Sequence, residues 1–139
     1  MKLECCHRIL SAQARNHKIR FEVRADYPQD CPISATEITV LLGNLLENAV
    51  EACLRDTAET RWIQLRIQPQ GHQGLLILTD NSCTQSVHFS GSLPLSSKRE
   101  GMGIGVASIQ DIAAAYRGYV RFEKKEDVFS ASVYLRLTA

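Results

Sequence analysis

The chain has 139 residues, 45% hydrophobic and 22% charged, the proportions of one ordinary globular domain with enough apolar material for a real core. A formal net charge of +1 with no long basic run excludes a nucleic-acid binder that relies on bulk electrostatics. No apolar stretch approaches the roughly 20 residues that span a bilayer, and the start, MKLECCHRIL, lacks the continuous apolar core of a signal peptide. Five cysteines, an odd number without framework spacing, read as reduced thiols of a cytoplasmic protein. Cys5, Cys6 and His7 are adjacent, and adjacent side chains rarely converge on one metal.

In chain order, residues 3–16 have helix-forming composition. KIRFEVRA (18–25) sets Ile19, Phe21, Val23 and Ala25 against charged neighbours, a strand with one buried face. Ser34 followed by Glu37 fits a capping box at a helix start. That helix is expected to run to about Leu54, with Ile38, Leu41, Leu42, Leu45, Ala49 and Cys53 on its apolar face. Glu37, Asn44, Asn48 and Glu51 lie on another face. An amide in a leucine-rich helix costs free energy unless something pairs with it. RWIQLRIQ (61–68) alternates, PQGHQG is a turn, and LLILT (75–79) is a continuous apolar run suited to a central strand. Residues 81–100 are rich in serine and lack periodicity, a loop. A second long helix is expected from about Gly103 to Tyr116, ended by Gly118. YVRFEKK and VFSASVYLRL close the chain as two alternating strands. Interspersed helices and strands predict an α/β fold, a two-layer sandwich with a mixed, mostly antiparallel sheet packed on helices.

GMGIG (101–105) opens the second helix with three alternate glycines. Glycine lets backbone approach a ligand, and a helix N-terminus offers unpaired N–H groups to an anion such as phosphate. The dinucleotide fingerprint GxGxxG fails, because Val106 stands where its third glycine belongs, and GxxxxGK[ST] is absent. From these residues alone, a phosphate site and a simple loop-to-helix hinge stand level.

Three stretches in order carry more than any one of them. LLGNLLENAVEA (41–52) resembles the N box of the GHKL superfamily, LILTDNS (76–82) its first glycine box, and SSKREGMGIGVASIQDIAAAYRG (96–118) its second. The chain is most similar to the ATP-binding catalytic domain of sensor histidine kinases, and among these to the peptide-pheromone receptor kinases of quorum sensing. The resemblance runs from about residue 4 to residue 137 and implies the Bergerat-type ATP-binding fold.

It further implies a single catalytic domain over 1–139, with 1–17 a helix or linker from an upstream acceptor domain and 83–100 the ATP lid. Asn48 matches the asparagine that helps hold Mg²⁺, and Asn44 its polar companion one turn earlier. Asp80 matches the aspartate that accepts a hydrogen bond from the adenine amino group. Gly101, Gly103, Ile104 and Gly105 match the glycine box under the triphosphate. Ser97 and Lys98 match a Ser/Thr-Lys pair before it, and Lys98 would meet the β- or γ-phosphate. Ser82 stands where the family usually has glycine. Hydrolytic members carry glutamate where this chain has Asn44, which implies slow hydrolysis of free ATP. Glu47 is a candidate assisting residue beside Asn48. The implied activity is transfer of the ATP γ-phosphoryl to a histidine on separate or upstream dimerisation helices, with a response regulator downstream. The fragment itself offers no good acceptor histidine and no membrane insertion, as for the cytosolic end of a membrane receptor. A nucleotide-dependent interaction module and an anti-sigma-type serine kinase are the alternatives within the same superfamily.

Overall fold

The computed structural model describes residues 18–28, 30–55, 60–87, 89–91, 93–94 and 104–137. The helix expected over 3–16 lies outside them. The elements are β1 (Arg20–Ala25), α1 (Ala35–Arg55), β2 (Trp62–Gln70), β3 (Gly74–Ser82), β4 (Phe89–Ser90), β5 (Leu93–Pro94), α2 (Ile104–Ala115), β6 (Tyr119–Lys125) and β7 (Val128–Arg136). Five strands form one sheet in the order β1-β2-β3-β7-β6. β1 runs parallel to β2, and the other three pairings are antiparallel, so the sheet is mixed as expected. The apolar run 75–79 falls in the middle strand, where both edges are paired and one face is covered.

The core lies between one face of the sheet and the two helices. Leu75 and Ile77 of β3, Ile63, Leu65 and Ile67 of β2, and Ala131, Val133 and Leu135 of β7 meet α1 and α2 there. α1 buries Ile38, Leu41, Leu42, Leu45, Leu46, Ala49, Val50 and Cys53. Each large aliphatic side chain removed from water contributes about 2 kcal/mol, so α1 is held chiefly by this stripe. α2 adds Val106, Ile109 and Ala113.

The helix ends follow local chemistry. The Glu37 backbone N–H donates to Ser34 Oγ at 3.0 Å, the first half of the capping box. The Glu37 carboxylate accepts from Tyr116 Oη, 2.5 Å, from the Ser34 hydroxyl, 3.0 Å, and from the Ser34 backbone, the reciprocal half of the box. α2 closes with the Gly118 N–H donating to the Ala113 carbonyl and the Arg117 N–H to the Ala114 carbonyl, a Schellman motif. Arg117, at φ 53°, takes the left-handed position usually given to glycine. Gly118 is required for another reason: a Cβ there would stand 1.6 Å from the Tyr134 carbonyl oxygen.

Within the stretch expected to be loop over 81–100, the described residues include strand. β3 continues through Ser82, and β4 and β5 form a small hairpin turning at Gly91. The Phe89 ring lies 6.4 Å from that of Phe129, which stacks on Phe122. The hairpin is thereby docked beside β6 and β7.

Candidate functional site

Asn44 and Asn48 stand on successive turns of α1, off its apolar stripe and half-buried. Their side chains converge on the first turn of α2. A Cβ added to Gly105 would lie 3.3 Å from Asn44 Oδ1 and 3.6 Å from Asn48 Oδ1. The absence of a side chain at Gly105 therefore lets two carboxamide oxygens sit against a helix N-terminus. Of the residues singled out in the sequence, Asn44, Asn48 and Gly105 are brought together. Ile104 begins the same helix. Glu47 is exposed on α1. Ser97, Lys98, Gly101 and Gly103 lie outside the described residues.

Asp80 is not brought to this cluster. Side chains on a strand alternate between faces, and Leu75 and Ile77 set the helix-facing positions of β3 as the odd ones. Thr79 and Asn81 continue that parity and are buried at 3% and 2% exposure. Asp80 points the other way, opposite Gln64 in the ladder, and its Oδ2 lies 3.5 Å from Arg66 Nη2 on the outer face. Arg66 is half-exposed, so this ion pair is screened and adds little. Asp80 thus lies on the face of β3 away from the helices, and the helix-facing polar groups at the end of the strand are Thr79 and Asn81.

Asn81 Nδ2 donates to the Ser82 carbonyl at 2.9 Å. Ser82, in place of the family's usual glycine, keeps an extended backbone and ties strands together. Its Oγ accepts from the Trp62 backbone N–H at 3.0 Å and lies 3.7 Å from Cys53 Sγ. Cys53 comes from α1, just over a turn past Asn48, and its thiol also points at the Ser82 carbonyl, 3.9 Å away. The end of β3 is in this way fastened to the helix that carries the asparagines. The segment after it is fixed too: the Cys83 N–H donates to the Asp127 carbonyl, and Gln85 Nε2 to the last carbonyl of α1, that of Arg55.

At the other end of α1, hydrogen bonds from Tyr116 and then Ser34 hold the Glu37 carboxyl below its usual range. Desolvation, followed by the bond to Glu37, pushes the Tyr116 phenol up. This pair links the start of α1 to the residue after α2 and stands apart from the asparagine cluster.

The GHKL domain model matches residues 33–136, most of the chain. The chain belongs to the GHKL family. No curated protein sequence matches it. Among solved structures, this GHKL domain superposes on the catalytic domain of the histidine kinase ThkA with a TM-score of 0.77 at 18% identity, covering 99% of this chain and 92% of that one. It superposes on the mycobacterial sensor histidine kinase MprB with a TM-score of 0.67 at 14% identity, covering 94% and 91%. For the blue-light activated histidine kinase of Erythrobacter litoralis the values are 0.72 and 19%, covering 95% of this chain and 40% of that one. These likenesses establish the histidine kinase catalytic-domain fold.

The GHKL fold binds ATP, and the cluster around Gly105 fits that ligand and its metal. Carboxamide oxygens are hard neutral donors suited to Mg²⁺, which shares its shell with water and phosphate. The first turn of α2 offers its N–H groups to anionic oxygens. Among the described residues no helix is long and apolar enough to cross a membrane.

Proposed function

We propose that this GHKL domain is the catalytic part of a two-component sensor histidine kinase of the peptide-pheromone receptor type. It would bind Mg-ATP and pass the γ-phosphoryl group to a histidine on separate or upstream dimerisation helices. The observation that carries this reading is the convergence of Asn44 and Asn48 on Gly105, within a sheet-and-helix frame of the family. Asn48 would hold Mg²⁺, which neutralises phosphate charge when bound. Asn44 orients the same shell, and Gly105 leaves room for both. Ser97, Lys98, Gly101 and Gly103 precede α2 and would complete the phosphate side, with Lys98 meeting the transferred phosphoryl. Phosphoryl transfer of this kind asks the protein mainly for positioning and charge neutralisation. Asn44 cannot act as a general base on water, and Glu47 is turned to solvent, so hydrolysis should be slow beside transfer. ThkA has been solved in complex with a response regulator protein, TrrA. A response regulator is the expected downstream partner here too, with the cytoplasm as the site of action.

Calorimetry with ATP, with and without Mg²⁺, tests the first step. Radiolabelled ATP with a purified acceptor helix bundle tests the second. Saturable Mg-dependent binding lost in Asn48→Ala, followed by labelling of the bundle, is the expected result. Binding without transfer to any acceptor bundle would instead favour a nucleotide-dependent interaction module, or a serine kinase of anti-sigma type. No binding at all would end the reading.

A further inference from the structure

We propose that the outer face of the sheet, turned away from α1 and α2, binds a second copy of this chain in a face-to-face dimer. Val23, Ile63, Val133 and Phe122 belong to the core or pack against it, so the residues alternating with them point outward. The strand registers sort those outward residues into rows that cross the sheet. One row holds Glu22, Gln64, Asp80, Ser130 and Glu123. The next holds Arg24, Arg66, Leu78, Ser132 and Arg121. An acidic band therefore lies beside a basic one, about 7 Å away along the strands. Of the six charged residues, five are exposed and Asp80 is half-buried.

Two such bands are their own complement. A two-fold axis lying in the face, between the rows, turns each row onto the other and each strand onto its like. Glu22 then meets Arg24 of the second copy, Gln64 meets Arg66, and Glu123 meets Arg121, every contact occurring twice. The flanking rows follow: Lys125 comes over the exposed ring of Tyr119, which stacks on Tyr134. Aligned sheets cross at about 30°, which displaces the edge strands by about 5 Å, within the reach of an arginine. Asp80 falls opposite Leu78 and keeps its partner in its own chain, Arg66 at 3.5 Å. Five strands about 4.8 Å apart and four rows give a footprint of about 650 Å² per copy. A standard interface takes about 800 Å² from each partner, so this dimer is a reversible one.

The test is sedimentation velocity on the 139-residue chain without nucleotide. The wild type should dimerise with a Kd of about 100 µM or tighter. Arg24→Glu sets carboxylates against each other at both symmetry-related contacts and should weaken the dimer about tenfold. Glu22→Arg does the same with two guanidinium groups. Mixing the two variants should restore association, because each supplies the charge that the other lacks. Both positions are exposed on an edge strand, and circular dichroism checks that the variants fold. Should either fail to fold, Arg121→Glu and Glu123→Arg repeat the cycle at the opposite edge. A wild type that stays monomeric at about ten times that concentration leaves the face to some other partner and overturns the proposal. A dimer indifferent to these substitutions belongs to another surface and overturns it too, as does a mixture that stays monomeric. None of these outcomes depends on nucleotide binding.

Discussion

Gly105→Ala separates the helix from the site. In the first turn of α2, alanine is the better helix former by up to about 1 kcal/mol. The added methyl would meet Asn44 Oδ1 at 3.3 Å and Asn48 Oδ1 at 3.6 Å. The first distance is tight and the second is ordinary contact, so the Asn44 carboxamide must give by a few tenths of an ångström. That side chain is half-buried and can turn, so the strain offsets only part of the propensity gain. The net effect on folding should lie between zero and about +1 kcal/mol, an unchanged melting temperature or a rise of a few degrees for a domain of this size. Binding should move the other way. A carboxamide pushed off its position no longer offers its oxygen to a hydrated ion, and loss of one such contact costs about tenfold in Mg-ATP affinity. Differential scanning calorimetry and titration calorimetry on the same preparation read both quantities. A variant that is as stable as wild type and binds Mg-ATP equally well would refute the assignment of the space beside Gly105 to the ligand shell.

Gly118→Ala places a Cβ 1.6 Å from the Tyr134 carbonyl oxygen, so backbone must move. A loss of more than about 3 kcal/mol by urea titration is expected, among the large single-site effects. Gly74→Ala meets only the Tyr134 ring, at 2.5 Å, and that ring can swing away from its stack on Tyr119, so its loss should be clearly smaller. Ser82→Gly removes the acceptor of the Trp62 N–H and loosens a strand end, a cost of about 1–2 kcal/mol in urea. A neutral Ser82→Gly would mean that the serine merely fills the family's glycine position.

The two-layer frame was legible because its signals are periodic. Ile63, Leu65 and Ile67 alternate with Gln64 and Arg66, and the eight buried residues of α1 recur at helical spacing. The pairing of Asn44 with Asn48 followed from the same period. What escaped was parity. In LLILT only the terminal Thr79 is polar, and a threonine suits either face of a strand, so local pattern does not say whether Asp80 or Asn81 turns inward. The answer lies in the hairpin register, where Gln70 pairs Gly74 across the turn at Gly71 and the ladder sets Ile63 opposite Asn81. Since Ile63 is buried in the core, its cross-strand partner shares that face. The helix cap shows a similar limit. Gly118 marked the end of α2, yet Arg117 takes the left-handed turn, and the glycine answers to a carbonyl of β7 that no local pattern reveals.

The bond from Tyr116 to Glu37 invites the idea that the far end of α2 positions the site, and the energetics argue against it. α2 is 12 residues long, about 18 Å, and is held along its length by Val106, Ile109 and Ala113 in the core. Burial of those side chains is worth several kcal/mol in all, far more than a hydrogen bond at the surface. The Arg136 N–H also donates to the Tyr116 carbonyl, which keeps the chain in place whatever the phenol does. Tyr116→Phe should therefore lower stability slightly and leave Mg-ATP affinity within about threefold of wild type, well under the cost of one hydrogen bond. The stability loss should carry a pH signature. The Glu37 carboxyl titrates lower folded than its ordinary 4.5, so its bond contributes above that value and is lost as pH falls through the folded one. The Tyr116 phenol titrates above 10.0, so its contribution holds below that value and is lost as pH rises through the folded one. The gap in urea midpoint between wild type and Tyr116→Phe should be level at neutral pH and close on the acid side. A gap that persists into acid would detach the tyrosine's role from Glu37, and a large fall in Mg-ATP affinity would show that the anchored end of α2 steers Gly105 after all.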